Sequence, residues 1–173
     1  MNRGFSFVEL MVSIFIIGLL VLLSFPFYSS LGKGMALRRS ATRMVQDFRK
    51  TQELAMSAQE NNGQIPMGGY GIYIPGMPAT SYSIFADKDG DQRYDHSLGK
   101  DELVETVNLE KGVSITTVFR NIRSIGFLAP DPKVSFANPG GVLNDTANEA
   151  AITLSDGTST VTVHINRAGL VYY

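Results

Sequence analysis

The stretch RGFSFVELMVSIFIIGLLVLLSFPF, residues 3–27, decides the fold of this chain. It begins with Arg3 and Gly4 and continues as an apolar run that contains a single carboxylate, Glu9. The eighteen residues from 10 to 27 carry no charge, and an α-helix of that length spans about 27 Å, close to the hydrocarbon thickness of a bilayer. The stretch therefore predicts a membrane-spanning helix, and it leaves an acid at the start of that helix to be explained.

Three interpretations account for Glu9 in different ways. A cleaved secretory signal needs a small-x-small site after the apolar run, and the SLG at residues 30–32 matches such a site poorly. A simple anchor fits the length, but an ionised carboxylate in hydrocarbon costs about 2.5 kcal/mol or more unless it reaches the interface or finds a partner. In the third interpretation the chain is cut between Gly4 and Phe5, and the new amine of Phe5 pairs with Glu9 in the same helix or in a neighbouring copy.

The third interpretation is supported by a resemblance. Gly4-Phe5-Ser6-Phe7-Val8-Glu9 followed by an apolar helix resembles the processing signal of type IV prepilins and type II secretion pseudopilins. The resemblance implies that a prepilin peptidase removes residues 1–4 and methylates the amine of Phe5. It also implies a single-pass protein of the inner membrane with its head outside the cytoplasm. An assembly platform then builds it into a filament with other pilin or pseudopilin subunits, with Glu9 setting the register.

Helical periodicity continues beyond the apolar segment. Leu37, Ala41, Met44, Val45, Phe48, Ala55 and Ala58 recur at spacings near three and four, which predicts an apolar stripe. We expect one helix over about residues 6–60, with a bend or local melting near Pro26, Gly32 and Gly34. The predicted divisions are a leader at 1–4, a membrane and assembly helix at 5–28, its amphipathic continuation at 29–62 and a β-rich head at 63–173.

The pattern changes to strands and turns after residue 62. Predicted strands lie at 70–74, 81–86, 113–119, 133–137, 151–154, 160–165 and 170–173. A long N-terminal helix packed on an antiparallel sheet is the α+β layout of pilins. The order of the segments is most similar to that of GspH/FimT-type minor pilins and pseudopilins.

The charges are divided unevenly along the chain. Residues 1–50 hold seven basic and two acidic residues, a net of +5, whereas residues 51–173 hold eight basic and fourteen acidic residues, a net of −6. The basic residues just after the apolar segment are suited to anionic lipid head groups or to the acidic body of a neighbouring subunit. Nucleic acid is a less favoured partner because the body has little basic clustering. There is no cysteine, so no disulfide stabilises the head.

An acidic loop is the predicted metal site. Asp87, Asp89, Asp91 and Asp95, with the backbone carbonyl of Arg93, offer the alternating oxygen ligands that Ca²⁺ prefers. The match to an EF-hand loop is partial, because the glycine stands at position 4 and position 12 is Leu98. A longer loop would let Asp101 or Glu102 supply a late ligand. The alternative is a solvated acidic turn whose charge is offset by Lys88 and Arg93.

No catalytic signature is present in the sequence. There is no thiol nucleophile or phosphate-binding loop, and we expect His96 and His164 to face solvent. The sequence therefore predicts a structural subunit and not an enzyme, and a minor subunit is favoured. The alternative function is a membrane-tethered or filament-tip binding module, either a calcium-dependent adhesin or a minor pilin for DNA uptake. Copy number per filament separates the two.

Overall fold

A computed structural model describes residues 6–95, 100–130, 134–139 and 146–173, without the side chains of residues 25–33. The chain divides into an N-terminal unit that ends at Met35 and a head that runs from Ala36 to Tyr173. One helix, α1, extends from Phe7 to Met56. The predicted long helix is confirmed, and it ends about four residues earlier than expected. Local melting near Pro26 is not observed, since α1 continues through that residue and the two glycines that follow.

The N-terminal unit presents its apolar side chains on the outside. None of the residues in the window Phe7–Ser24 is buried, and its mean hydropathy is 2.6. Phe7 and Phe15 each expose more than 70 % of their surface. Such a large apolar surface is stable only against lipid or another apolar surface. This segment is, by length and composition, long and apolar enough to cross a membrane.

Among its described residues, the head contains nine antiparallel strands in two sheets. The strands are β1 Gly69–Tyr73, β2 Ser81–Asp87, β3 Asp101–Asn108, β4 Ser114–Val118, β5 Ser124–Phe127, β6 Val134–Ala137, β7 Glu149–Ser155, β8 Thr160–Asn166 and β9 Val171–Tyr172. The first sheet has the order β3-β2-β1-β5-β6, and the second has the order β4-β7-β8-β9. The predicted α+β class is confirmed, with two sheets in place of one. The hairpins β1–β2 and β7–β8 are confirmed, whereas β3 and β5 were not predicted.

The head half of α1 forms the core with the sheets. Leu37, Ala41, Met44, Val45, Phe48 and Ala55 are buried, as the apolar stripe predicted. Phe48 packs edge-on against Phe127 of β5, with ring centroids 6.4 Å apart. Ala58 is the exception, because it lies beyond the end of the helix and is exposed. An isolated β-bridge pairs Ala79, in the loop between β1 and β2, with Ile115 of β4 in the second sheet.

Candidate functional sites: the helix start and the acidic loop

Glu9 caps the start of α1. The backbone N–H of Ser6 donates to the Glu9 carboxylate over 3.0 Å, and the N–H of Leu10 donates to the carbonyl of Ser6 over 3.2 Å. Serine before the first helical residue and glutamate three positions later form the S-x-x-E pattern of a capping box. This capping pattern is visible in the sequence, but we interpreted Glu9 only through its charge and did not predict that it caps the helix. Glu9 therefore satisfies an N–H of its own helix within a single subunit.

The predicted processing residues cannot be placed beside Glu9. Gly4 and Phe5 lie outside the described residues. Glu9 itself is exposed, so the carboxylate is open to a second partner.

Strand pairing creates the acidic site. Asp87 is the last residue of β2 and Asp101 is the first residue of β3, and the two are direct partners in the antiparallel register. Partners in an antiparallel pair direct their side chains to the same face of the sheet. The loop that contains Asp89 leaves this end of the hairpin, so residues that are far apart in sequence become neighbours.

Three carboxylates meet at this point. Asp87, Asp89 and Asp101 each place an oxygen within 4.8 Å of the others, and among the described residues they form the acidic group that is close enough to share a metal ion. We refer to these three residues as the acidic cluster. Asp87 and Asp101 are 1 % and 3 % exposed, whereas Asp89 is exposed at the surface. A hard cation such as Ca²⁺ or Mg²⁺ is bound by oxygen ligands of this kind.

Backbone donors hold the two buried carboxylates in place. Asp87 accepts hydrogen bonds of 2.7 Å from the N–H groups of Gly90 and Gln92. Asp101 accepts from the N–H groups of Lys88 at 3.2 Å and Asp95 at 2.6 Å. These bonds fold the loop around the carboxylates and orient them before any ion binds.

The three carboxylates of the acidic cluster have different pKa values because each lies in a different environment. Burial raises the pKa of Asp87 to about 6, although the N–H groups of Gly90 and Gln92 act in the opposite direction. Burial also raises the pKa of Asp101. The pKa of Asp89 is lowered, because hydrogen bonds from the Asp91 N–H and from Lys100 outweigh its desolvation. The buried pair therefore holds its negative charge at a cost that a bound cation would relieve.

The structure rearranges the predicted ligand set. It brings Asp87 and Asp89 together with Asp101, one of the two late ligands that a longer loop allowed, whereas Asp91 and Asp95 are not members of the group. Asp91 forms an ion pair of 2.5 Å with the side chain of Arg93, and Asp95 lies 3.9 Å from the same guanidinium. Arg93 thus contributes a cation beside the cluster. Sequence spacing allowed Asp101 or Glu102 as a late ligand but could not choose between them, since the place of Asp101 depends on the pairing of β2 with β3.

The two histidines, His96 and His164, were both expected to face solvent. His96 lies outside the described residues. The prediction that His164 faces solvent was wrong in part, because its side chain is 32 % exposed and its ring stacks on Tyr172 with centroids 5.1 Å apart. The stacking follows from the direct pairing of these two residues between β8 and β9. Its Nδ1 lies 3.9 Å from the Glu149 carboxylate, and among the described residues His164 belongs to no group of side chains that could hold a metal ion.

Comparison with known proteins identifies the N-terminal segment. The family described as the prokaryotic N-terminal methylation motif matches residues 1–25. No curated protein and no solved structure matches the chain. The motif marks a type IV prepilin-like protein, and the apolar helix at the N-terminus fits that class. The motif supports a prepilin-like type IV pilin or pseudopilin, and it implies processing by a prepilin peptidase and assembly with other pilins.

Proposed function

We propose that the chain is a structural subunit, and a minor one, of a type IV pilus or a type II secretion pseudopilus. The observation that carries the proposal is the methylation motif at residues 1–25, which contains the exposed apolar helix segment Phe7–Ser24. An exposed apolar helix suits two environments in turn, the bilayer before assembly and a bundle of identical helices afterwards.

The proposal includes a route to the filament. A prepilin peptidase cuts after Gly4 and methylates the amine of Phe5. The chain then stays in the inner membrane as a single-pass protein with its head outside the cytoplasm, until an assembly platform extracts it. The divisions at 1–4, 5–28, 29–62 and 63–173 correspond to leader, membrane helix, amphipathic continuation and head.

Glu9 has two successive roles in this proposal. In the free subunit its carboxylate accepts the N–H of Ser6. In the filament it pairs with the methylated amine of Phe5 from a neighbouring copy, so that a wrong register leaves two charges without partners.

Mass spectrometry of the N-terminus tests the proposal. Protein from the native membrane should begin with a methylated Phe5, and protein from cells that lack the peptidase should begin at Met1. Protein that begins at Met1 in both strains would overturn the processed-subunit proposal. Subunit counting on purified filaments tests the minor role: we expect a few copies per filament, and a copy number that grows with filament length would show a major subunit.

We also propose that the acidic cluster binds Ca²⁺. Support comes from the convergence of three carboxylates, two of them buried, with a pKa of about 6 for Asp87. Calorimetry on the full chain in detergent, after treatment with a chelator, tests the site with CaCl2 and with MgCl2. We expect heat of binding for calcium at micromolar to millimolar concentration and weaker binding of magnesium. Absence of heat and of any thermal shift with calcium would remove the site.

A further inference from the structure

A cleft beside α1 collects three basic side chains. It has a volume of about 310 Å³ and is lined by Arg39, Ser40, Arg43, Asn108, Leu109, Glu110 and Lys111. The floor is built from the turn after β3, because the N–H of Glu110 donates to Ser40 Oγ over 3.2 Å. This bond joins the turn to the helix and places Lys111 on the same cleft as the two arginines. We refer to this feature as the basic cleft.

The internal ion pairs leave positive charge in the basic cleft. Arg39 lies 3.3 Å from the Glu110 carboxylate, and Arg43 lies 3.9 Å from Asp47. Lys111 is exposed and has no ion-pair partner among the described residues. Arginine presents five N–H donors and lysine three, so one carboxylate near each arginine uses only part of the donor capacity. The cleft therefore suits a further oxyanion.

The chain also carries a matching carboxylate. Glu53 of α1 is exposed, and among the described residues it has no cation as partner. Glu53 follows Arg39 by fourteen residues. In an α-helix this separation places the two residues within about 40° of the same face and about 21 Å apart along the axis. Copies that are inserted into a membrane in one orientation have parallel helices. A stagger of about that distance would bring Glu53 of one copy level with the basic cleft of the next.

We propose that the basic cleft is a subunit contact that receives the Glu53 carboxylate of a second copy of this chain. The inference rests on the proposed filament function and adds to it a specific contact in the head half of α1. The contact contributes to the register and specificity of assembly, because an exposed ion pair adds little to stability whereas a like-charge contact is disfavoured.

A charge swap tests the contact in the full chain, in cells that hold the assembly machinery. Lys111→Glu and Glu53→Lys each place like charges at the contact, and each should reduce incorporation into filaments at least several-fold. The double variant restores opposite charges and should recover incorporation. Neither residue has an ion pair within the described head, so folding is expected to stay intact, and thermal unfolding checks this. Single variants that incorporate normally, or a double variant as defective as either single one, would overturn the contact.

Cysteine crosslinking gives a second readout, since the natural chain has no cysteine. Copies with Lys111→Cys and copies with Glu53→Cys, produced together, should give a disulfide-linked dimer under mild oxidation. The matched control replaces Glu60, also exposed and without an ion pair among the described residues, by Cys, and should give little dimer. Equal dimer from Glu60→Cys, or none from Glu53→Cys, contradicts the contact. Failure of the wild-type chain to be processed and to enter filaments would refute the filament proposal itself, which is a separate outcome.

Discussion

The hydroxyl of Tyr82 in β2 donates a hydrogen bond of 2.6 Å to the carboxylate of Asp47 in α1. Tyr82 is fully buried, and Asp47 exposes only 15 % of its side chain. The bond is a buried polar link between the helix and the first sheet, and the more exposed ion pair between Lys50 and Glu105 of β3 is a second one. Burial and the nearby carboxylate raise the pKa of Tyr82, so the hydroxyl stays a donor throughout the physiological range.

Tyr82→Phe should therefore destabilise the head. The change removes one oxygen and leaves Asp47 without its donor, and a hydrogen bond to a charged group contributes about 1.5–3 kcal/mol. Tyr70→Phe is a matched control, because the Tyr70 hydroxyl donates to the neutral carbonyl of Gln59 over 2.7 Å and should cost only about 0.5–1.5 kcal/mol. Urea unfolding of the full chain in detergent measures both. Equal losses in the free energy of unfolding for the two variants would contradict the prediction that the bond to the charged Asp47 contributes more than the bond to the neutral carbonyl.

Gly68 is required by the position of the Asp87 carboxylate. A Cβ at residue 68 would overlap the carboxylate of Asp87, and the Gly68 N–H donates to the Asp87 carbonyl over 2.9 Å. Gly68→Ala should cost about 1–3 kcal/mol, as overpacking typically does, and should also weaken any metal binding by displacing Asp87. The control is Gly76→Ala, where the nearest neighbour of the new Cβ is Arg123 at 4.0 Å. It should be neutral or stabilising by up to about 1 kcal/mol, and thermal unfolding compares the two.

Acidification should stabilise the metal-free head through Asp87. Its pKa is about 6 in the folded protein and 3.8 ordinarily, so between these values the folded state binds a proton that the unfolded state does not. The contribution of Asp87 to the free energy of unfolding therefore rises as pH falls from about 6 to 4. Other groups act in the opposite direction, and Glu102, whose pKa is lowered by Lys88, is one of them. The informative quantity is therefore the difference in the free energy of unfolding between the wild type and Asp87→Asn. A difference that is independent of pH from 7 to 4.5 would contradict the prediction.

Calcium should distinguish the cluster seen in the structure from the ligands read from sequence spacing. Asp101→Asn removes a member of the cluster and should abolish the calcium-dependent rise in melting temperature. Asp91→Asn should keep most of that rise, because Asp91 pairs with Arg93 and lies outside the cluster. Melting curves with chelator and with millimolar CaCl2 provide the measurement. The reverse order of the two variants would favour the EF-hand-like ligand set over the cluster.

Local patterns explain which parts of the fold were predictable. The apolar stripe of α1 and the alternation in β8 are periodic, so burial follows directly from the sequence. The strand β3 lacks this signal because it is the edge strand of its sheet and only Asp101 and Val107 of its eight residues are buried. β5 is only four residues long and contains Gly126, a residue type that is depleted in strands.

The acidic site was predictable in its location, but its membership was predictable only in part. Asp87 and Asp89 are close in sequence, so their spacing indicated a cation site at the end of β2. Asp101 enters through the register between β2 and β3, and that register depends on packing across the whole sheet. Asp91 was assigned as a ligand on spacing alone, whereas its side chain pairs with Arg93 two residues later. Long-range pairing is the part of the site that a single sequence does not display.

Two substitutions at Glu9 separate its capping role from its charge. Glu9→Gln keeps an oxygen that accepts the Ser6 N–H but removes the charge, and Glu9→Val removes both. If the charge sets the register with the amine of Phe5, both variants should insert and be cleaved, and both should lose filament incorporation at least tenfold. If capping is the requirement, Glu9→Gln should assemble as the wild type does, because its side-chain oxygen still accepts the Ser6 N–H, whereas Glu9→Val loses a cap that contributes about 0.5–2 kcal/mol. Fractionation of cells into membrane and sheared filament, with immunoblotting of each, gives the answer, and normal incorporation of Glu9→Gln would contradict the role of the charge.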